Sequence, residues 1–409
     1  MAEQEASSRT YQIARMSGRG DVVDLIRACK GALASNASEL VLDMSDAERV
    51  YPNGCVPMAA IVQYYKSIDL RIRIANESFL VSRSHFRNPL EATKENLSAA
   101  EDRLSVLWVY FNYEQCFDLA NCLIEELSER VEFGEGVLPA LNWCLFEVLD
   151  NVFEHARSDV GYVMAQVLRN SKRLLVCVAD TGIGIHRSFL LGGHYRPPNV
   201  LDSLTLAVRK GVTSTGDRRG NGLYGLRGVV EANGGRLELT SGRGALNLSG
   251  TVSLRRLGNG IVLDEDHHCT VVDFQLDVSR PVSLNEVLGM PIIDTRLERI
   301  ENDAGQHVIA IRDYAQGTGT RAAAERLRNF LVNYLSEGAP SLLLDFDGVD
   351  MVSSSFADET IGKLAEKFGP VGFFQRFRLV NMSPTVQGLL DRAIGLRLSD
   401  TYFRDDKSE

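Results

Sequence analysis

Glu147-Val-Leu-Asp-Asn151 places a carboxylate and a carboxamide one helical turn apart. The surrounding residues, 141–156, have apolar side chains at helical spacing, so this segment is predicted to be a helix. Glu147 and Asn151 then lie on one face of that helix. Asparagine is not favoured inside a helix by its propensity. Because side-chain oxygens of these two types suit a hydrated Mg²⁺ ion and a water molecule, the pair is a candidate site.

Two glycine-rich stretches follow along the chain. Asp180-Thr-Gly-Ile-Gly184 comes directly after a predicted strand at 173–179, and Gly220-Asn-Gly-Leu-Tyr-Gly225 leads into a predicted helix at 223–232. Glycine allows close backbone approach to a ligand, and the start of a helix attracts phosphate. Together with residues 147–151, these stretches predict a nucleotide site. The long basic segment 185–219 is predicted to be a lid or a disordered loop.

The composition is that of an ordinary globular protein. At 409 residues the chain is too long for one core, so two or three domains are expected. The formal net charge of -10 gives no sign of a nucleic-acid-binding surface, so a general DNA-binding role is disfavoured. The seven cysteines include no C-x-x-C pair and are predicted to be reduced core thiols. Without a recognisable signal segment or membrane span, the chain is predicted to be cytoplasmic.

The three stretches, in this order, resemble the N, G1 and G2 boxes of the GHKL superfamily. That superfamily contains gyrase-type ATPases, histidine kinases and anti-sigma-factor serine kinases. The resemblance covers residues 104–278, and it is more specific than a single glycine-rich loop would be. It implies a Bergerat-type α/β sandwich that binds ATP and Mg²⁺.

The resemblance also implies a role for each matching residue. Glu147 would be the catalytic base, Asn151 would bind Mg²⁺, and Asp180 would accept a hydrogen bond from the adenine amine. The other implied nucleotide contacts are Gly182 and Gly184 beside the purine, Gly220, Gly222, Leu223 and Gly225 along the phosphates, and Thr270 behind the adenine.

His155 lies one further turn along the same predicted helix. It could contact phosphate or a metal ion, but a single histidine more often packs against or caps neighbouring structure. A structural role is therefore favoured for His155.

The two ends of the chain resemble each other. Leu40-Val-Leu-Asp43 and Leu342-Leu-Leu-Asp345 are each followed by a predicted helix, which indicates two related α/β modules. We therefore predict an α+β protein with a module at 1–76, a linker at 77–103, the GHKL domain at 104–278 and a second module at 279–409.

The C-terminal module resembles the STAS-like domains of anti-sigma-factor antagonists through residues 344–358. In those domains a serine at the start of this helix is phosphorylated by a GHKL partner, and Ser354 falls at that position. A helix cap is the favoured alternative, because Ser355 and Asp358 form a near capping box.

Three functions follow from these resemblances. The first is a regulatory ATPase whose nucleotide-driven lid closure changes the interactions of the STAS-like modules. The second is a protein serine kinase that acts on Ser354 or on a separate STAS-like protein. The third is a nucleotide-gated binding module without turnover. The implied partners are ATP, a protein that binds the modules and, as in the resembled families, a second copy of the chain; the domain pairing indicates a bacterial source.

Overall fold

A computed structural model describes the chain from residue 8 to residue 405, and it confirms the predicted α+β class. The described ranges are 8–214, 221–250, 252–258, 260–289, 300–302, 304–314 and 317–405, with side chains described to residue 399. The chain forms two compact units. The first contains residues 1–123, 140–277 and 286–289, and the second contains residues 124–139, 278–285 and 290–409.

The first unit begins with a small parallel sheet. Its elements are β1 (Ser8–Gln12), α1 (Arg19–Ala34), β2 (Glu39–Asp43), α2 (Pro52–Ser67) and β3 (Ile72–Ala75), with strand order β1-β2-β3. Pro52 starts α2, where its missing N–H is not needed. A Cβ on Gly54 would lie 2.1 Å from the carbonyl carbon of Met16, so this close approach requires glycine.

An eight-stranded sheet forms the centre of the first unit. Its strands are β4 (Leu90–Glu91), β5 (Trp108–Tyr110), β6 (Gly161–Leu168), β7 (Arg173–Asp180), β8 (Arg236–Ser241), β9 (Gly244–Ser249), β10 (Val252–Leu257) and β11 (Thr270–Asp277). Their order is β10-β9-β8-β11-β7-β6-β5-β4, and neighbours are antiparallel except β4 and β5.

Helices accompany this sheet along the chain. They are α3 (Phe79–Arg83), α4 (Lys94–Ala99), α5 (Tyr113–Arg130), α6 (Val137–Glu154), α7 (Ile185–Gly192), α8 (Val200–Ala207), α9 (Gly222–Asn233) and α10 (Leu284–Leu288). Residues 77–103, which we predicted to be an irregular linker, contain α3, β4 and α4. Because β4 pairs with β5, part of this segment is the edge of the large sheet.

Helix α2 of the N-terminal module packs directly on the large sheet. It lies against β6 and β7, and it is the most apolar helix of its module. Cys55 and Ile61 of α2 share one hydrophobic core with Met164 of β6 and Cys177 of β7. The N-terminal module and the large sheet therefore bury a common set of side chains. The predicted boundary between these two domains stays a prediction.

The second unit contains another parallel sheet, of order β12-β13-β14. Its elements are β12 (His307–Ala310), α11 (Ile311–Tyr314), α12 (Arg321–Ser336), β13 (Leu342–Asp345), α13 (Ser354–Ala357), a π-helical segment (Asp358–Gly362), α14 (Lys363–Arg376), β14 (Phe377–Val380) and α15 (Pro384–Asp405). The helix predicted at 355–368 therefore changes type near its start. Gly369, with φ of 69°, then kinks α14.

The two small sheets match in local detail, which supports the predicted similarity of the modules. The backbone N–H of Ser45 donates to Asp43 Oδ1 at 3.0 Å after β2, and the N–H of Asp347 donates to Asp345 Oδ1 at 2.9 Å after β13. In both sheets the central strand is followed by a turn closed by its own final aspartate.

The cysteines behave as predicted. All seven thiols are free, and six of them are buried.

Among the residues with described coordinates, the helices include none that combines the length and apolar character needed to cross a bilayer.

Asn333 holds together three backbone groups inside the second unit. This side chain of α12 is fully buried. Its Oδ1 accepts from the N–H of Phe133 at 2.9 Å, and its Nδ2 donates to the carbonyls of Ser128 and Val131 at 2.8 and 2.9 Å. The end of a helix leaves carbonyls without partners, and Ser128 is near the end of α5. Asn333 therefore serves as a cap from a distant helix.

We predict that Asn333→Ala destabilises this contact by about 2 kcal/mol, because it leaves buried backbone groups unpaired. Hydrogen exchange at the Phe133 amide should accelerate roughly 30-fold. Ser336→Ala on the same helix is the control, since the Ser336 hydroxyl donates only to the nearby carbonyl of Asn333. Equal exchange rates in the two variants would contradict the capping role.

Candidate functional site

Helix α6 carries the first pair of predicted site residues. Glu147 and Asn151 are both half-buried, and the predicted helix is confirmed. The Nδ2 of Asn151 is buried and has no hydrogen-bond partner within the described ranges. Buried amides normally have partners. Asn151 can therefore turn its amide toward a ligand without losing a protein hydrogen bond at that nitrogen.

Asp180 is a buried carboxyl group at the end of β7. It is 5% exposed, and its Oδ1 accepts a hydrogen bond from the N–H of Gly182 at 2.8 Å. Burial raises the pKa of Asp180 to about 7, although the Gly182 hydrogen bond opposes this shift. A further donor would favour the ionised form of this carboxyl group. In the sheet register, Asp180 lies opposite Thr270 on one side and Gly161 on the other.

Thr270 belongs to a hydroxyl pair that the sequence did not reveal. Its Oγ1 lies 3.1 Å from Ser241 Oγ, and Ser241 Oγ accepts from the N–H of Ile185 at 2.9 Å. Ser241 ends β8 and pairs with Thr270 across the sheet. These contacts join β8 and β11 to the start of α7. The alternation in β8 could predict which face Ser241 occupies, but it could not predict the neighbouring strand.

The glycines after Asp180 are required by contacts within the protein. A Cβ on Gly182 would lie 2.0 Å from the carbonyl oxygen of Ala156, which also accepts from the N–H of Ile183 at 2.9 Å. Gly184 has a φ of 76°, and a Cβ there would lie 2.9 Å from the Cβ of His268. From the sequence we explained these glycines only by the close approach of a ligand. The structure adds close packing against the end of the α6 segment.

The start of α9 approaches α6 equally closely. Gly222 is the first residue of α9, and a Cβ there would lie 2.5 Å from Glu147 Oε2. A Cβ on Gly225 would lie 2.3 Å from Cη2 of Trp143, which is also on α6. Leu223, between them, is half-buried. Gly220 lies outside the described residues. The structure therefore brings Glu147 to the end of α9 whose free N–H groups and dipole favour an anion.

His155 lies in a chain of hydrogen bonds, as a structural role would require. Its Nδ1 lies 3.1 Å from Ser214 Oγ, and Ser214 Oγ lies 2.8 Å from Ser188 Oγ. Burial lowers the pKa of His155, while Asp150 raises it to a smaller extent. The chain links the α6 segment to α7 and to residue 214. Nothing in the local sequence pattern marked Ser214 or Ser188.

The side chains at the site suit a cation that takes most of its ligands from water and substrate. No group of three or more His, Cys, Asp or Glu side chains suited to a metal occurs among the described residues. Mg²⁺ commonly uses one or two protein oxygens together with water and substrate phosphates. An amide such as that of Asn151 is compatible with such a site, whereas a zinc-type cage is not present in the described ranges.

The serines of the second unit differ from the sequence-based prediction. The capping residue is Ser353, whose Oγ accepts from the N–H of Phe356 at 3.0 Å, so the predicted cap at Ser355 is wrong. The reason is that the helix starts at Ser354, earlier than predicted. Ser355 Oγ lies 3.0 Å from Ser353 Oγ. Ser354 is exposed, and its hydroxyl has no hydrogen bond to the described part of the chain.

Comparison with known proteins finds one family. Neither the curated proteins nor the solved structures contain a match to this chain. No ATPase family matches it. Residues 323–387 match a family described as STAS-like domain of unknown function (DUF4325). These residues run from α12 into α15, so the C-terminal module is similar to STAS-like domains, as predicted.

Proposed function

We propose that the first unit is a GHKL-type ATPase that binds ATP with Mg²⁺ and hydrolyses it. The observation that carries this proposal is the approach of Gly222 to Glu147, with 2.5 Å between a Cβ at Gly222 and Glu147 Oε2. This contact brings a carboxylate to the positive end of a twelve-residue helix. Phosphate at that helix end would have a candidate base beside it.

Adenine recognition is proposed at Asp180. The carboxyl group is buried; Thr270 lies opposite it on the adjacent strand β11, and Ser241 lies one strand further away, on β8. A purine amine that donates to Asp180 would supply a hydrogen bond that a buried carboxylate needs. This arrangement favours a ligand with a donor at one end and phosphates at the other.

Phosphate binding is proposed at the start of α9, with Asn151 as the magnesium ligand. Bound Mg²⁺ would neutralise charge on the phosphates. Glu147 would orient a water molecule and accept its proton. The buried Nδ2 of Asn151 has no partner within the described residues, so a phosphate oxygen beside the ion could accept from it while the amide oxygen binds Mg²⁺.

We further propose that nucleotide binding regulates the STAS-like modules. The segment that carries α7 and α8 contacts α6 through Ser188, Ser214 and His155. A movement of this segment on binding would change the surroundings of the nucleotide. The proposed partners are a protein that binds the modules and a second copy of the chain.

For Glu147→Ala we predict that ATP still binds but that turnover falls by about 100-fold or more, because the base is lost. Phosphate release and binding of a fluorescent ATP analogue should be measured on the same preparation. Glu154→Ala is the matched control, since Glu154 is an exposed carboxylate on the same helix. Unchanged turnover in Glu147→Ala would contradict the assignment of the base.

ATP affinity should also depend on pH through Asp180. Because burial raises the pKa of this carboxyl group to about 7, the free protein holds a proton there at lower pH. An adenine amine that donates to Asp180 favours the ionised form, so binding releases the proton. Affinity for a non-hydrolysable ATP analogue should therefore fall as the pH drops below about 7.

Asp180→Asn should weaken binding and remove this pH dependence. Asp273→Asn is the control, because burial also raises the pKa of Asp273 to about 7 on β11, outside the proposed site. Calorimetry in buffers of different ionisation enthalpy measures the proton directly. Proton uptake on binding would contradict the proposed hydrogen bond.

A serine kinase is the second candidate function. The environment of Ser354 favours a phosphate acceptor over a helix-capping role for this residue. Ser353 already caps the helix, which leaves the exposed Ser354 hydroxyl available. With γ-labelled ATP, a kinase that acts in cis should label the protein, and Ser354→Ala should abolish the label while Ser355→Ala retains it. Free phosphate without protein label would support the ATPase, and the absence of both would support a nucleotide-gated binding module.

A further inference from the structure

The residues before β11 connect the N-terminal module to the loop after Asp180. We call residues 260–269 the strap. The Tyr64 hydroxyl of α2 donates to Asp264 of the strap. Four residues later, the N–H of His268 donates to the carbonyl of Gly182 at 2.8 Å. The strap therefore connects α2 to the loop after β7 within the first unit.

A cavity of about 670 Å³ lies beside the strap. Its lining includes Lys30 from α1, His186 from α7, Arg243 from the turn between β8 and β9, and His268 from the strap. The volume is in the range of small-molecule sites. None of the residues predicted to contact nucleotide is among its described lining, although Ser241 lies between the cavity and Thr270.

Two cations and two carboxylates line this cavity, so its fixed charges balance. Lys30 and Arg243 are exposed, and neither has a carboxylate partner in the described ranges. Asp264 also lines the cavity, but its carboxylate accepts from Tyr64 and from the N–H groups of Asp266 and His267. Those hydrogen bonds stabilise the ionised form of Asp264 and occupy its oxygens. Lys30 and Arg243 have no such partners within the described residues, so the case for an anion rests on unpartnered donors and not on net charge.

Two half-buried imidazoles add hydrogen-bonding capacity. His186 uses Nδ1 in a 2.7 Å contact with Ser203 Oγ, and its Nε2 has no partner among the described residues. The ring of His268 likewise has no hydrogen bond to the described chain. Burial lowers the pKa of both rings; Arg187 and Arg243 lower the pKa of His268 further, while Asp264 raises it. An anion would supply an acceptor for a ring N–H and a counter-charge for Lys30 and Arg243.

We propose that this cavity binds a small polyvalent anion, such as a phosphorylated or polycarboxylate metabolite, through Lys30, Arg243, His186 and His268. The described lining of the cavity shares no predicted nucleotide contact with the proposed ATP site, but Ser241 and His268 bring the cavity next to Thr270 and Gly184 of that site. Ser241 and His268 contact the segment that follows Asp180, so an occupant would act on the base-binding end of that site.

The test is calorimetric titration of the full chain with pyrophosphate and, separately, with citrate, which distinguishes phosphate from carboxylate ligands. We expect binding of at least one anion to wild type. Lys30→Gln combined with Arg243→Gln should weaken it at least about tenfold, because two charge-assisted contacts are lost. Both side chains are exposed, so the fold should persist. The matched control is Lys94→Gln with Arg71→Gln, two exposed cations outside the cavity, which should leave affinity unchanged.

Asn151→Ala separates this site from the nucleotide site, because it should leave anion binding intact. Loss of anion binding in Asn151→Ala, equal affinity in the Lys30/Arg243 variant and wild type, or no binding of either anion would each overturn the proposal. If the anion binds as expected while ATP does not bind at all, the cavity stands and the proposed ATPase fails.

Discussion

Two close backbone approaches to the α6 segment hold the candidate site together. At one end, the carbonyl of Ala156 occupies the space that a side chain on Gly182 would need. At the other, Glu147 occupies the space of a side chain on Gly222. Because the first contact lies beside Asp180 and the second at the start of α9, one helix sets the separation of the two ends of the site. A larger residue at Gly182 would have to displace backbone, whereas one at Gly222 would displace the end of the Glu147 side chain.

The N-terminal module packs on the eight-stranded sheet whose strand β7 carries Asp180. Helix α2 buries apolar residues against β6 and β7, and β7 carries Asp180 at its end. The strap adds a second connection. Tyr64 donates to Asp264 of the strap, and His268 of the strap donates to the carbonyl of Gly182, two residues after Asp180. The module is therefore a structural support for the candidate site. Its sheet has the same order of strands along the chain as the sheet of the C-terminal STAS-like module.

Local patterns predicted the elements that carry Glu147, Asn151 and Asp180, because apolar spacing defines the helix and the strand without reference to distant residues. The same patterns could not predict that β4 would complete the sheet or that Ser241 would meet Thr270, since both depend on pairing across the fold. The cap at Ser353 differs from the predicted Ser355 by two positions, which is the usual precision of helix ends read from sequence. The resemblance to GHKL proteins supplied the functional roles, which geometry alone does not assign.

We propose that ATP binds between Asp180 and the start of α9, and a crystal structure with Mg²⁺ and a non-hydrolysable ATP analogue would test this. The adenine amine should lie within hydrogen-bonding distance of Asp180, the phosphates at the first turn of α9, and Mg²⁺ on the amide oxygen of Asn151. A nucleotide bound elsewhere on the chain, or a site that stays empty at saturating analogue, would contradict it.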